Sequence, residues 1–421
     1  MPSVVFVASL IGVYLLMRRL GTEGVQPKGF APNVAVPAIF FVWTLLIQLS
    51  FIYVPGIATI CDVMVSENHA YYFYAPAKAS DVPGFIDWTF SLMRMGSLMR
   101  LGTHLPGWPL LLFLVFAIVG GKQAVPSVLA VLILTSLTTV PLYFLAKKLF
   151  GFKTALLACM MFLYVPDFII HIPWMDLTLG LFTTLAVLLF VYAVKKGDIY
   201  YAIISGLVFF IAIFMNLASI VVAVLLLTWG FLTRKSLPRL SRLLLATALG
   251  TLFLPVITQL AFNLPIFESL SWWSKGVFFR GEFAPEVGER IPLLERLLGH
   301  LLTKKTREYR LSLFYIFVFA GVPVSFLFFE SLVRAIKTRL IHSFLLSFVA
   351  MLSVFLFLEN VEFVRRGMFL IPLMLILSAN ELVKAKQDTT RYVSLILAFQ
   401  FIQTLIFYPL IVPFYFSYIL L

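Results

Sequence analysis

The chain has 421 residues, 62% of them hydrophobic and 12% charged, with a formal net charge of +13. A mean hydropathy of +1.02 excludes a soluble globular domain. It also removes nucleic acid as the explanation of the positive charge, because in a polytopic membrane protein Lys and Arg mark the cytoplasmic loops. The two cysteines, Cys61 and Cys159, are distant in sequence and carry no metal or redox spacing.

Apolar runs recur at about 17–22 residues, enough to cross ~30 Å of hydrocarbon. Backbone groups in lipid must bond within their own segment, so the spans are read as helices. The period-two alternation of a membrane barrel is missing. The expected fold is therefore all-α: a polytopic transmembrane bundle of about 12 spans, forming a single domain over residues 1–421. Spans are expected at about 2–17, 34–54, 124–146, 153–170, 175–194, 199–215, 219–233, 243–262, 311–331, 340–358, 367–383 and 392–420, with boundaries good to a few residues. The first, Val4 to Met17, lacks the basic start and small-residue cleavage site of a signal peptide and is read as retained.

Alternating sides along these spans places one set of short loops together: Arg18 and Arg19, Lys147 and Lys148, Lys195 and Lys196, Arg234 and Lys235, Arg334 and Lys337, Lys384 and Lys386. They are basic and nearly free of acids, which makes that side cytoplasmic. The opposite side holds most of the acids and two long segments, residues 55–123 and 263–310. Long acidic loops are where chemistry is expected. Within the first, Pro109 to Gly121 is too short an apolar run to span comfortably and is read as an interfacial or re-entrant helix. Ser91 to Leu101 reads as a second interfacial helix, with Arg94 and Arg100 reaching headgroups.

Asp87, between Ile86 and Trp88, is placed to take a proton from a hydroxyl at the membrane surface; its plainer role is an N-cap for the helix that follows. Asp62 and Glu67 are rival acids in the same loop. His104, at a proline-rich bend, could bind phosphate, donate a proton or simply bond backbone. Asp176 opens a span after His171-Ile172-Pro173-Trp174, where the helix dipole favours an acid, and Asp167 competes with it. Arg365 and Arg366 sit at the mouth of a span on the acidic side. Paired guanidinium groups there suit a phosphate, or an ion pair with Glu359 or Glu362. Lys275 and Arg280 are further cations for anionic headgroups. No phosphate-cradling loop, nucleophile elbow or dinucleotide fingerprint occurs, and no ligand spacing supports a dedicated metal site.

The order of these features resembles the GT-C membrane glycosyltransferases that use polyprenyl-phosphate sugars, of the protein O-mannosyltransferase and lipid A aminoarabinose transferase type. Four stretches carry the likeness: Asp87 followed by His104-Leu105-Pro106-Gly107-Trp108-Pro109; the turn Lys147-Lys148-Leu149-Phe150-Gly151; Asp176-Leu177-Thr178-Leu179-Gly180; and Arg366-Gly367-Met368-Phe369-Leu370-Ile371-Pro372. The likeness is best over residues 100–235 and weaker over 359–385. It departs from the family where Trp88 follows Asp87 in place of a second acid, where Leu105-Pro106 stands for a double proline, and in an additional N-terminal span.

The resemblance implies an inverting glycosyltransferase with its site on the non-cytoplasmic face of a plasma or ER-type membrane. The donor would be a polyprenyl-phosphate sugar, and the acceptor a hydroxyl on protein, lipid or glycan. Asp87, or else Asp62 or Glu67, would be the base. His104, Asp176 and Arg94 would position donor or acceptor, and Arg365, Arg366, Arg280 and Lys275 would meet the lipid phosphate. A divalent metal is compatible with that chemistry. Two alternatives remain at this level. An O-antigen-ligase-like or polymerase-like enzyme would work from the 263–310 loop, through Arg280 and His300. A lipid-linked glycan flippase would carry charges inside its spans and repeated halves.

Overall fold

The computed structural model describes residues 1–21, 30–65, 81, 84, 107–120, 123–233, 236–262, 316–338, 342–358, 367–385 and 389–420. Among them the fold is helical and contains no strand. In chain order the helices are α1 (Pro2–Gly21), α2 (Phe30–Ile52), α3 (Ile57–Val65), α4 (Gly107–Val119), α5 (Ala124–Leu137), α6 (Thr139–Phe150), α7 (Phe152–Phe162) and α8 (Pro166–Ile170). They continue with α9 (Leu179–Lys196), α10 (Ile199–Met215), α11 (Val222–Thr233), α12 (Leu237–Phe262), α13 (Val322–Thr338), α14 (Ser343–Leu358), α15 (Ile371–Lys384) and α16 (Thr389–Leu420). Three 3₁₀ turns matter below: Met175–Thr178, Leu217–Val221 and Gly367–Leu370.

The expected all-α membrane bundle is what is seen. Six of these segments are long and apolar enough to cross a membrane, or seven if the bent pair α13–α14 forms one span. One expected span proves to be broken. Residues 153–170 do not form one helix: α7 stops at Phe162, and a turn separates it from the five-residue α8. Pro166 at the start of α8 explains the break, because the residue before proline is pushed out of the helical region. The apolar run after Pro106 is a helix of 13 residues, α4, shorter than the segments long enough to cross a membrane.

The middle of the bundle is formed by α9 and α15, flanked by α5–α6 and α7, whereas α12 and α16 lie outside. Of the span windows, 89% of Gly367–Lys384 and 72% of Met175–Lys196 is buried, against 28% of Leu237–Leu260. The central helices therefore carry polar groups that must find partners inside the protein. Gln48 of α2 donates to the Phe168 carbonyl at 3.4 Å and accepts from the Ser136 hydroxyl at 3.1 Å. Glu381, buried in α15, meets the Arg334 guanidinium of α13 at 2.5 Å, and Arg334 also reaches Glu330 at 3.1 Å.

The α9–α10 hairpin sets the frame for the site. Gly197 ends α9 in the left-handed region at φ 71°, which only glycine enters without a Cβ penalty. Asp198 then caps α10, its Oδ1 accepting from the Tyr200 amide at 2.9 Å. Lys195 bonds the Lys148 carbonyl at the end of α6, and Arg239 donates to the Lys196 carbonyl at 2.7 Å. Cations thus gather at helix C-termini, where the dipole favours them. Of the basic residues that the sequence places on one side, Lys148, Lys195, Lys196 and Arg239 meet at one end of the bundle.

Behind this hairpin, α10 and α12 approach closely because glycines face each helix. A Cβ on Gly206 would stand 2.0 Å from the Thr247 carbonyl oxygen, and one on Gly250 would stand 2.2 Å from that of Ile203. Small residues at such crossings let backbones pack directly. Gly206→Leu is expected to push the helices apart and cost about 1–3 kcal/mol, read as a lowered unfolding temperature of the detergent-purified protein.

Candidate active site

The end of α9 opposite Lys195 and Lys196 lies about 27 Å away, given its 18 residues and the ~1.5 Å rise of a helix. Two carboxylates are buried there. Asp167, 1% exposed, lies in α8; Asp176, 7% exposed, lies in the 3₁₀ turn that leads into α9. They flank the segment His171-Ile172-Pro173-Trp174, which contains a cis Ile172–Pro173 bond.

Each carboxylate is met by a nearby polar side chain. The His171 ring, 1% exposed, has Nδ1 at 2.6 Å from Asp167 Oδ1 and 3.2 Å from the Asp167 carbonyl oxygen. It packs between the rings of Trp174 and Phe319, with centroids at 5.2 and 5.3 Å. The Asn216 Nδ2 donates to Asp176 Oδ1 at 3.0 Å. Asn216 ends α10 and caps the next 3₁₀ turn, its Oδ1 accepting from the Ala218 amide at 3.0 Å.

Three further chain segments converge on this end. Gly107, at the start of α4, lies against the backbone of Phe214 and Met215; a Cβ there would be 2.5 Å from the Phe214 carbonyl oxygen. The 3₁₀ turn Gly367–Leu370 packs on α9 and on the turn holding Asp176. At the second residue of α9, Gly180 sits among Pro372, Phe168 and Thr138, each 3.3–3.4 Å from where its Cβ would be. Trp108, 1% exposed, and Ser219, fully buried, place Nε1 and Oγ in the interior with no hydrogen-bond partner among the described residues.

Of the site residues expected from sequence, Asp176 lies at this junction. Asp62 is exposed on α3, which packs against α5. Its neighbour Cys61 is a free thiol, pushed up from its ordinary pKa by burial and then by the Asp62 charge, and so is poorly suited to nucleophilic work. Cys159 is also free. Glu67, Asp87, Arg94, His104, Lys275, Arg280, Arg365 and Arg366 lie outside the described residues, as does His300. The described chain resumes three residues after His104, at Gly107, and directly after Arg366, at Gly367; both glycines belong to the junction. Among the described residues, no three His, Cys, Asp or Glu side chains converge as a metal site would require.

The sequence reading missed Asn216, because an asparagine between two apolar runs reads as a turn residue. The available signal was its place at the end of a span on the same side as Asp176. It also treated Asp167 as a competitor of Asp176, whereas the two sit at one junction with separate partners.

Residues 103–261 match the family model of dolichyl-phosphate-mannose-protein mannosyltransferase. The match covers just over a third of the chain and contains Trp108, Asp167, His171, Asp176 and Asn216. The fold is shared with the apo Archaeoglobus fulgidus oligosaccharyltransferase, at TM-score 0.51 and 12% identity over 88% of this chain and 55% of that one. The same organism's oligosaccharyltransferase AglB, in complex with an inhibitory peptide and a dolichol-phosphate, aligns at TM-score 0.45 and 14% identity over 67% and 42%. The A. fulgidus enzyme in complex with Zn and sulfate aligns at 0.47 and 15% over 72% and 44%. This chain therefore spans about half the length of those proteins. The full sequence matches no curated protein. The matched segment is similar to that family, in agreement with the GT-C resemblance read from the sequence.

The buried Asp167–His171 pair gives a stability test. His171→Leu would leave the buried Asp167 carboxyl without its hydrogen-bonding partner, at a cost of about 1–3 kcal/mol. Adding Asp167→Asn should restore more than half of the lost unfolding temperature.

Proposed function

We propose that this chain moves a sugar from a polyprenyl-phosphate donor to a hydroxyl acceptor on the non-cytoplasmic face, with inversion at the anomeric carbon. The observation that carries the reading is the buried Asp176–Asn216 hydrogen bond. It lies inside the segment matched by the mannosyltransferase family model, at the end of the bundle away from the basic loops. Mannose on a dolichyl-type phosphate is the first donor to test. The acceptor is a protein, lipid or glycan hydroxyl.

In this mechanism Asp87, from the first outer loop, accepts the proton of the acceptor hydroxyl. The acceptor oxygen forms a bond to the anomeric carbon as the bond from that carbon to the phosphate oxygen breaks, and the lipid phosphate leaves with the electron pair. Asp62 and Glu67 are the other acids of the loop. Asp62 is disfavoured by its exposed position on α3, because a base at the reacting centre must be within reach of a bound hydroxyl.

The leaving phosphate needs cations where its charge develops. Arg365 and Arg366 immediately precede Gly367, and the turn opened by Gly367 packs beside Asp176, which supports their assignment to the phosphate. Lys275 and Arg280 of the second outer loop would meet the same headgroup. His104 is three residues from Gly107, so extended chain could carry it about 10 Å from the junction at most; with Arg94 it would position donor or acceptor. The Trp108 N–H and Ser219 O–H, buried without protein partners among the described residues, are suited to sugar or phosphate oxygens, since buried donors are normally satisfied by something.

The test is transfer from a panel of radiolabelled polyprenyl-phosphate sugars to candidate acceptors by purified protein. Asp87→Asn is expected to lose about 100- to 10,000-fold in rate, with Asp62→Asn near wild type. Loss confined to Asp62→Asn would move the base to that residue. A folded wild type that transfers from no monophosphate donor would overturn the reading.

A further inference from the structure

We infer that Asn216 is a positioning residue for Asp176 in the transfer reaction; this rests on the function proposed above. Three features of the structure carry it. The first is that the orientation of the Asn216 amide is determined by its surroundings. Its Oδ1 accepts from the Ala218 amide at 3.0 Å, so the opposite end, Nδ2, must face Asp176, where it donates to Oδ1 at 3.0 Å. Turning the group over would set a donor against the Ala218 N–H and an oxygen against a carboxylate.

The second feature is the rigidity of the support. The Asn216 amide donates to the Ala212 carbonyl at 3.0 Å, closing the last turn of α10, while its own φ of −151° and ψ of 118° lead the chain out of the helix. Asn216 is 4% exposed. Its side chain therefore has neither solvent nor a loose backbone to move into.

The third is what lies behind it. The two residues before it, Phe214 and Met215, present their backbone to Gly107 at a separation no side chain could share. Gly107 begins α4, the element that follows the His104 bend. Asn216 thus ties the Asp176 carboxylate to the wall against which the first outer loop ends. An Asp176 that contacts donor or acceptor is thus tied to that wall through the Asn216 amide.

The simpler role for Asn216 is that of a helix cap, and substitutions separate the two. Asn216→Ser keeps an oxygen able to cap the Ala218 N–H, since serine caps as well as asparagine, but its hydroxyl is too short to reach Asp176. Asn216→Ala loses both bonds. Asn216→Asp keeps the cap and sets an oxygen against Asp176 Oδ1.

Kinetics are measured with the radiolabelled polyprenyl-phosphate sugar that the wild type transfers best. Asn216→Ser and Asn216→Asp are both expected to lower kcat about 10- to 100-fold, the range of a lost hydrogen bond to a charged group. The donor KM should change by less than about 3-fold, with every rate measured well below the lowered unfolding temperature of the variant. Asp176→Asn combined with Asn216→Ser should be no slower than Asp176→Asn alone, because the second residue acts through the first. An Asn216→Ser variant with wild-type kcat would reduce Asn216 to a cap and overturn the inference alone. So would losses that multiply in the double variant. A wild type with no transfer overturns the proposed function itself.

Discussion

A carboxylate inside an apolar bundle is tolerated only where donors or a counter-charge meet it, since burial without them costs several kcal/mol. Among the described residues that constraint is satisfied at three places. Asp176 is met by the amide of Asn216 across the α9–α10 hairpin. Asp167 is met by His171 one turn further along the same segment. Glu381 is met by Arg334 between α15 and α13. The first two lie at one end of the bundle and the third at the other. The charge pair on the basic side uses a long, half-exposed arginine, which can hold the helices together and still reach water. The pairs on the opposite side use short, fully enclosed side chains, which hold their geometry more tightly and suit a site that must present a carboxylate in one orientation.

The helices around Asp176 are arranged to keep that junction closed. Gly107 and Gly180 each occupy a place where a side chain would displace a neighbouring element. Close approach of this kind is how membrane helices gain packing where lipid offers no hydrophobic drive between them. Irregular backbone also gathers here: the turn between α7 and α8 and the 3₁₀ turns Met175–Thr178, Leu217–Val221 and Gly367–Leu370 all lie near this end. Non-helical backbone is tolerated at membrane depth where it is buried in protein or lines a cavity. The donors Trp108 Nε1 and Ser219 Oγ, without partners among the described residues, lie on segments at the same end.

Much of the architecture was legible in the chain. Apolar run lengths anticipated the helical bundle, and the loops bearing Lys147, Lys148, Lys195 and Lys196 correctly grouped at one end. The GT-C resemblance, resting on the stretch after His104 and on Asp176 opening a span, agrees with the matched segment 103–261. Span integrity was less legible. Hydropathy averages over a window, and a five-residue helix such as α8 between two turns remains apolar throughout, so residues 153–170 read as continuous. The partners of the buried acids were hidden for a different reason. His171 is near Asp167 in sequence, but Asn216 is 40 residues from Asp176, and only the antiparallel return of α10 brings them together.

By itself, then, the sequence determined the solvent in which this protein folds, the helical character of its spans, the gathering of Lys148, Lys195 and Lys196 at one end and the family it resembles. These follow from composition and local order, because the bilayer imposes one length and one hydrogen-bonding rule on every span. The tertiary structure decided which polar atoms meet. Pairing inside the bundle depends on helix register and on glycine contacts between elements far apart in the chain, and those distances are set by packing rather than by any short motif.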